Sequence, residues 1–219
     1  MSASVVAVVA TDTMQTISTP DGDARVTVSR AARPTQTLVL GHGAGGGIEA
    51  RDLAALATAL PPRGVTVVRV EQPWRVAGRK VAGTPATLDR AWLAVLAALR
   101  IDGPLVVGGR SAGARVACRT AVQVGAVGCV ALAFPLHPPG RPEKSRLDDL
   151  LAAGVPTLVV QGERDSFGGP EAFPRKRTAY AVRRIPGADH SFRVPASMSQ
   201  PATLELVVTT VGDWLLRTG

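Results

Sequence analysis

One serine of the sequence lies in a setting that suits a nucleophile. It occupies the centre of Gly109-Arg-Ser111-Ala-Gly113, which follows a short apolar run and opens a helical pattern. A serine on a sharp strand-to-helix turn needs small neighbours two residues away on each side, and Gly109 and Gly113 meet that need. The first amide of the helix, at Ala112, would then donate to a developing oxyanion. The pattern predicts nucleophilic chemistry at Ser111.

An acid and a histidine follow in the chain order serine, acid, histidine. Asp165 comes just after the apolar run Pro156–Gln161, and His190 lies in the loop after the last expected strand. Histidine suits a general base because its ordinary pKa lies near neutral pH. Asp165 is placed to hold the other ring nitrogen, or alternatively to cap the following turn. Glu163 and Asp189 are rival acids, although Asp189 adjoins His190 and would hardly reach its ring.

A glycine-rich loop, Gly41-His-Gly43-Ala-Gly45-Gly46, follows an earlier strand and has two functional interpretations. Its glycine spacing fits a dinucleotide-binding loop, with Glu71 ending the next strand where a ribose-binding acid would stand. It also fits an oxyanion loop, whose backbone N–H groups point at a developing negative charge. Glycines that only let the chain turn off a strand are the structural alternative. The loop by itself does not choose among these.

A parallel sheet is needed to bring these residues together. Short apolar runs alternate with helix-period segments, which predicts βαβ units with strands buried on both faces. The expected strands are Gln36–Leu40, Val65–Val70, Pro104–Val107, Cys129–Phe134, Pro156–Gln161 and Thr178–Ile185, after an antiparallel start built from Val5–Val9 and Arg25–Ser29. The expected helices are Glu49–Leu60, one opening at Thr84-Pro85, Ala112–Val122, Arg146–Ala153 and Thr203–Arg217. Such sheets bind ligands at the carboxyl ends of their strands, where the candidate serine, acid and histidine all fall.

Composition favours a single globular domain over residues 1–219, because 46% of the residues are hydrophobic and 19% are charged. No run approaches the roughly 18 consecutive apolar residues of a membrane span, and the first residues lack a basic leader. Cys118 and Cys129 lie in apolar runs and fit small core residues of a reducing compartment. The cytoplasm is therefore the expected location.

The formal net charge of +8 raises the question of a nucleic-acid partner. Its densest stretch, Arg175–Arg184, lacks the interleaved aromatic residues of single-strand binders, and no helix-turn-helix or zinc pattern appears. We expect no sequence-specific nucleic-acid binding, no membrane partner, no metal and no cofactor. Weak, salt-dependent binding to polyanions stays open, and the charge is expected to steer anionic substrates toward the site.

Together, the chemistry-bearing segments resemble the α/β-hydrolase fold, and specifically its small dienelactone-hydrolase-like members. The matching segments are His42–Gly45, Gly109–Gly113, Gly162–Asp165 and Asp189–Phe192. The resemblance implies a mostly parallel central sheet with helices on both faces. It also implies nucleophile, base and orienting acid at Ser111, His190 and Asp165, with an oxyanion hole formed by the N–H groups of Ala112 and Ala44.

A narrower likeness covers Phe134–Lys144. This stretch is similar to a subgroup that includes a testis-expressed hydrolase-like protein and a subunit of a chromatin acetyltransferase complex.

The expected function is a serine hydrolase that cleaves an ester or related acyl bond of a small molecule through an acyl-enzyme. A non-catalytic binding or scaffold module on the same fold is the alternative.

Four further residues are candidates for the pocket. His42 and Gly43 belong to the glycine-rich loop, where His42 is expected to orient the loop through hydrogen bonds without transferring protons. His137 either borders the pocket or fixes a proline-rich turn, and Trp74 either walls the site or belongs to the core. The stretch Pro135–Val155 has room only for a turn and a short helix, so we expect no lid and an open, shallow site for small esters.

Overall fold

The computed structural model describes residues 12–174 and 179–218. Its strands are β1 (Thr13–Thr19), β2 (Gly22–Ser29), β3 (Gln36–Gly41), β4 (Val65–Glu71), β5 (Leu105–Arg110), β6 (Gly128–Leu132), β7 (Thr157–Gly162) and β8 (Tyr180–Ile185). Its helices are α1 (Arg51–Ala59), α2 (Pro73–Val76), α3 (Pro85–Ala98), α4 (Ala112–Thr120), α5 (Leu147–Leu151) and α6 (Gln200–Thr218). Short 3-10 turns lie at Pro61–Arg63 and Pro170–Ala172.

The strands of the described residues form one sheet in the order β1-β2-β4-β3-β5-β6-β7-β8. The pairs β1–β2 and β2–β4 are antiparallel, and all pairs from β4 across to β8 are parallel. Helices α3, α4 and α5 pack on one face, and α1 and α6 pack on the other. The expected mostly parallel sheet with helices on both faces is confirmed.

The junction between β3 and β5 creates the crevice that positions the site. The chain leaves β3 toward the face covered by α1, and it leaves β5 toward the opposite face covered by α4. Two neighbouring parallel strands that feed opposite faces leave a gap at their carboxyl ends, which is where open α/β sheets bind ligands. The glycine-rich loop and the Ser111 turn both lie at this gap.

The antiparallel start differs from the sequence expectation. Strand β2 contains the predicted run Arg25–Ser29, but its partner is Thr13–Thr19, joined through a turn at residues 20 and 21. The predicted first strand, Val5–Val9, lies outside the described residues. In β1 only Ile17 is buried. An exposed polar edge strand carries little apolar signal, so the pattern pointed to the more hydrophobic run before it.

The connection between β6 and β7 is short. Residues 133–156 form a turn, a loop and the five-residue helix α5, which leaves no inserted lid in this fully described stretch. Cys118 in α4 and Cys129 in β6 are fully buried, with their Sγ atoms 3.7 Å apart. The hydrogen bond between the two thiols, together with burial, raises the pKa of Cys118 well above its usual value. In the described ranges, no helix combines the length and apolarity needed to cross a membrane.

Candidate active site

Ser111 stands on a strained turn between β5 and α4. Its φ of 52° and ψ of −110° are values that a residue with a side chain rarely adopts. The turn is held on both sides, because the Ser111 N–H donates to the Leu132 carbonyl at 3.0 Å and its carbonyl accepts from the Arg115 N–H at 3.2 Å. The strain is therefore maintained by tertiary structure, with the side chain presented at the end of the sheet.

Close backbone packing at three glycines explains the small residues around this turn. A Cβ atom added at Gly109 would lie 2.6 Å from the Gly41 carbonyl oxygen, and one added at Gly113 would meet the same carbonyl even more closely. Contacts that short do not occur for real side chains. The glycines thus let the end of β3, the end of β5 and the start of α4 touch through their main chains.

The loops after β7 and β8 bring the predicted acid and histidine to this turn. Nδ1 of His190 lies 2.8 Å from Oδ2 of Asp165, and Nε2 of His190 lies 3.0 Å from Oγ of Ser111. Because the carboxylate can only accept, Nδ1 carries the proton and Nε2 is the acceptor that faces the serine hydroxyl. The imidazole is held in the tautomer that can take the proton of Ser111.

Asp165 is buried and surrounded by donors. Beyond His190, its Oδ2 accepts from Nε2 of Gln161 at 2.9 Å, and its Oδ1 accepts from the Phe167 N–H at 2.8 Å. The two alternatives for Asp165 therefore coexist, since one oxygen holds the histidine while the other closes the following turn. Gln161, fully buried at the end of β7, fixes the carboxylate from behind.

The rival acids are engaged elsewhere. Glu163 accepts from the Gly187 N–H at 2.8 Å and pairs with Arg184 at 2.6 Å, and the Gly187 bond is the main cause that lowers its pKa. Asp189 accepts backbone N–H groups of its own loop at residues 191 and 193. Arg184 also pairs with Glu171, so acids offset this part of the basic stretch. Residues 175–178 lie outside the described residues.

His42 links the glycine-rich loop to β4. Its Nδ1 donates to the Gly43 carbonyl at 2.8 Å, and its Nε2 accepts from the Gln72 N–H at 3.1 Å. Burial lowers the pKa of His42, which favours the neutral ring that these two bonds require. Because a trans peptide points its C=O and N–H in opposite directions, fixing the Gly43 carbonyl aims the Ala44 N–H away from His42.

The Ala112 amide directly follows the serine, and the loop that carries Ala44 passes beside it. A Cβ placed on Gly43 would lie 3.4 Å from the Ser111 Cβ, so the loop passes directly beside the nucleophile candidate. The Ala112 N–H belongs to the first turn of α4, where amides lack an intrahelical acceptor and the helix dipole is positive. The oxyanion hole predicted from the N–H groups of Ala112 and Ala44 stays a prediction, because no contact of the described residues places both N–H groups toward one point.

A narrow cleft with room for little more than a water molecule opens beside these residues. Its far walls are apolar side chains from α2, α3, α4 and the loop before α3: Trp74, Ala82, Leu88, Trp92 and Val116. Trp74 is almost fully buried, yet one side lies on the cleft and its ring centroid is 5.5 Å from that of His42. It belongs to the core and the pocket wall at once.

His137 lies outside that cleft. Its Nδ1 donates to the Pro138 carbonyl at 2.9 Å, and its backbone N–H donates to the Phe167 carbonyl at 3.0 Å. The Phe167 ring in turn stacks on His190 with 4.3 Å between centroids. His137 thus fixes the proline-rich turn and supports the segment that covers the histidine.

Three residues near the site, Gln161, Arg110 and Phe167, are hard to recognise from the sequence. Gln161 is a polar residue at the end of an otherwise apolar strand, and this position could have indicated a role near the site. Arg110 lies inside the Gly109–Gly113 motif, which could have indicated the same. Phe167 gave no signal, because a single aromatic residue in a loop carries no spacing information. Their contacts to Asp165 and His190 depend on tertiary packing.

Solved structures of similar shape support the fold. The chain superposes on Est1E from Butyrivibrio proteoclasticus with a TM-score of 0.76 and 17% identity, covering 94% of this chain and 98% of that one. For dienelactone hydrolase from Anabaena variabilis the TM-score is 0.73 and the identity 16%, with 95% and 98% covered. A Xanthomonas campestris protein described as a serine hydrolase without lid gives 0.69 and 22%, with 93% and 94% covered.

Sequence comparison leads to the same fold family. No match was found among curated protein sequences. The profile of the alpha/beta hydrolase domain family (Abhydrolase_11) matches residues 34–214, which include the glycine-rich loop, the Ser111 turn, Asp165 and His190. The chain belongs to the α/β-hydrolase domain family.

Proposed function

We propose that this protein is a serine hydrolase that cleaves an ester or related acyl bond through an acyl-enzyme. The observation that carries the proposal is the chain of contacts from Ser111 Oγ to His190 Nε2 at 3.0 Å and from His190 Nδ1 to Asp165 at 2.8 Å. Ser111 also stands on a strained turn, next to the first amide of α4 and beside the glycine-rich loop. A serine used only for structure needs none of these features together.

In the acylation half-reaction, Ser111 Oγ attacks the carbonyl carbon while His190 Nε2 takes the hydroxyl proton. The carbonyl oxygen becomes an oxyanion that accepts from the N–H groups of Ala112 and Ala44. Asp165 keeps the imidazole in the right tautomer and stabilises the imidazolium that forms. When the tetrahedral intermediate collapses, the bond to the leaving group breaks and His190 returns its proton to the departing oxygen.

Deacylation repeats these steps with water. His190 removes a proton from a water molecule, the resulting hydroxide attacks the acyl carbon, and the bond to Ser111 Oγ breaks as His190 protonates it. The Phe167 ring packs against the His190 ring with 4.3 Å between centroids and restricts the movement of the imidazole in both half-reactions. The same groups therefore serve both half-reactions.

The narrow cleft supports a small, uncharged acyl group as the part of the substrate that is bound. It starts at Ala44 and Ala112 and ends against Trp74 and Trp92, and its free space admits a group about the size of a water molecule, so only a short acyl chain can enter. On the other side of the loop, Gly45 and Gly46 face open space. A bulky leaving group has room there, in keeping with an open, lidless site.

Fluorophosphonate labelling tests the mechanism directly. We expect wild-type protein to label and Ser111→Ala to lose labelling and ester hydrolysis by roughly 10⁴-fold or more, because the three side chains act as a unit. Ser145→Ala, which removes an exposed hydroxyl far along the chain, is the matched control and should label like wild type. Labelling of Ser111→Ala at the wild-type rate would disprove the mechanism. An unreactive, folded wild type would favour the binding-module alternative.

A series of p-nitrophenyl esters tests the acyl preference. We expect kcat/KM to be highest for acetate to butyrate and to fall at least roughly tenfold for octanoate, because longer chains meet the two tryptophans. A rising kcat/KM up to octanoate would show that the cleft is not the acyl site. The narrower resemblance over Phe134–Lys144 and the single-domain organisation of residues 1–219 stay predictions.

A further inference from the structure

Arg110, the residue before Ser111, directs its side chain away from the reaction and into the protein. Its side chain is 14% exposed, and its Nη2 donates to the His190 carbonyl at 2.7 Å. Since Arg110 is the last residue of β5, this bond ties the backbone of the histidine loop to the strand that carries the nucleophile. Two hydrogen bonds therefore fix the position of His190 relative to Ser111: one joins their side chains, and the other joins the Arg110 side chain to the His190 carbonyl.

Asp52 completes this arrangement from the opposite side. Its side chain is 1% exposed, and its Oδ2 lies 3.5 Å from Nε of Arg110. In the described part of the chain, neither of these two atoms has a hydrogen-bond partner. Asp52 lies in the first turn of α1, the helix that follows the glycine-rich loop. These two buried atoms belong to groups of opposite charge, so charge attraction holds the two side chains together.

We propose that Arg110 and Asp52 are positioning residues that lock together the three parts of the site. The guanidinium connects the end of β5, which carries Ser111, to the backbone of His190 and to the helix that begins after the oxyanion loop. The inference rests on the proposed function for its kinetic consequence only. Independently of any reaction, we expect the His190 loop to lose its position when Arg110 is replaced.

The chemistry of the side chain supports this role over simple packing. A guanidinium offers donors in several directions at once, so it can serve the His190 carbonyl and Asp52 together, whereas an ammonium is a single point of charge. Every buried guanidinium needs acceptors, and the acceptor used here at 2.7 Å is the carbonyl of the residue that bears the base, so the bond fixes the main chain of that residue. Misplacing a reacting group by about 1 Å can reduce a rate by roughly a hundredfold.

Two variants separate positioning from folding. Arg110→Lys keeps a positive charge near Asp52 and so preserves the buried pair, but it cannot reach both partners. Arg110→Met combined with Asp52→Leu removes both charges and leaves no unpaired buried ion, a change that folded proteins tolerate well. The matched control is Arg119→Lys, because Arg119 is 17% exposed, pairs with Asp89 and lies away from the site at the end of α4.

Two measurements on the full-length protein then test the inference. The first is kcat and KM for p-nitrophenyl acetate; we expect kcat to fall by about tenfold to a hundredfold in both site variants with KM nearly unchanged. The second is the downfield NMR resonance of the His190 Nδ1 proton bonded to Asp165, which should weaken or broaden in both. The Arg119→Lys control should match wild type in each measurement.

The outcomes distinguish this inference from the proposed function. Wild-type kcat and a wild-type resonance in both site variants would overturn the positioning role and leave the serine hydrolase intact. An equal loss in Arg119→Lys would also overturn it, because the effect would then not be local. A wild type that hydrolyses no ester, but whose resonance depends on Arg110, would uphold the positioning role while the proposed function fails.

Discussion

His42 offers a sharp test of how the oxyanion loop is held, because its two ring nitrogens have separate partners. Nδ1 donates to the Gly43 carbonyl at 2.8 Å, and Nε2 accepts from the Gln72 N–H at 3.1 Å. An asparagine amide overlaps the Nδ1 position, and a glutamine amide overlaps the Nε2 position. His42→Asn and His42→Gln therefore remove one hydrogen bond each and preserve the other.

His42→Gln should mainly lower kcat, and His42→Asn should mainly lower the free energy of unfolding. His42→Gln frees the Gly43 carbonyl and hence the direction of the Ala44 N–H. Complete loss of an oxyanion donor costs about 10²–10³ in kcat. The Gly46 N–H also bonds the Gly43 carbonyl, at 3.4 Å, and retains part of the loop geometry. We therefore expect a fall of about 10–10² in kcat, or about 1.4–2.7 kcal/mol.

His42→Asn should keep its activity and lose stability. The donor to Gly43 remains, so kcat should stay within about threefold of wild type. The buried Gln72 N–H loses its acceptor, which should lower the free energy of unfolding by about 1–3 kcal/mol. Steady-state hydrolysis of p-nitrophenyl acetate and urea denaturation measure the two quantities. If His42→Gln retains wild-type kcat while His42→Asn does not, the peptide-orientation argument is wrong.

Three further predictions concern packing, pH and substrate range. Gly113→Ala would force a Cβ against the Gly41 carbonyl and should lower the free energy of unfolding by about 1–3 kcal/mol or more, whereas Gly45→Ala, which faces open space, should be near neutral in urea denaturation. Burial lowers the pKa of His42, so the imidazole binds a proton more readily in the unfolded chain than in the folded protein. The free energy of unfolding is therefore unaffected by the titration of this histidine above about pH 6.5, and it decreases as the pH falls from there toward the pKa of His42 in the folded protein. Wild type should therefore lose more unfolding free energy than His42→Asn between pH 7.5 and pH 5, and equal losses would contradict this account. Trp74→Ala should raise kcat/KM for octanoate relative to acetate, and an unchanged ratio would remove Trp74 from the acyl site.

The sheet was largely predictable because each buried parallel strand is a short apolar run. β3, β6 and β7 are buried along their whole length, so tertiary structure and local pattern agree there. β1 was not predictable in the same way, since it lies at the edge and exposes most of its side chains. The short helix α2 was also missed, because four residues after a strand are too few to show a helical period.

In the candidate site, too, some residues were predictable from the sequence and others were not. Ser111, Asp165 and His190 follow from local context, because each lies just past a strand at the same edge of the sheet. Arg110 and Asp52 meet only through the approach of β5 to α1, and no spacing within the sequence encodes that pair. The sequence also left Trp74 between core and pocket wall, since burial of one ring face cannot be read from residue type.

The strained turn at Ser111 makes probe reactivity a measure of the folded population. A backbone with φ of 52° at a residue with a side chain persists only while β5, β6 and α4 stay packed around it. Once that packing is lost, the serine relaxes and becomes one ordinary hydroxyl among several. A brief pulse of fluorophosphonate should then label only the folded molecules, and the labelled fraction should follow the same denaturation curve as circular dichroism. One labelled band on a gel would report how much of a sample, or of a variant library, is folded.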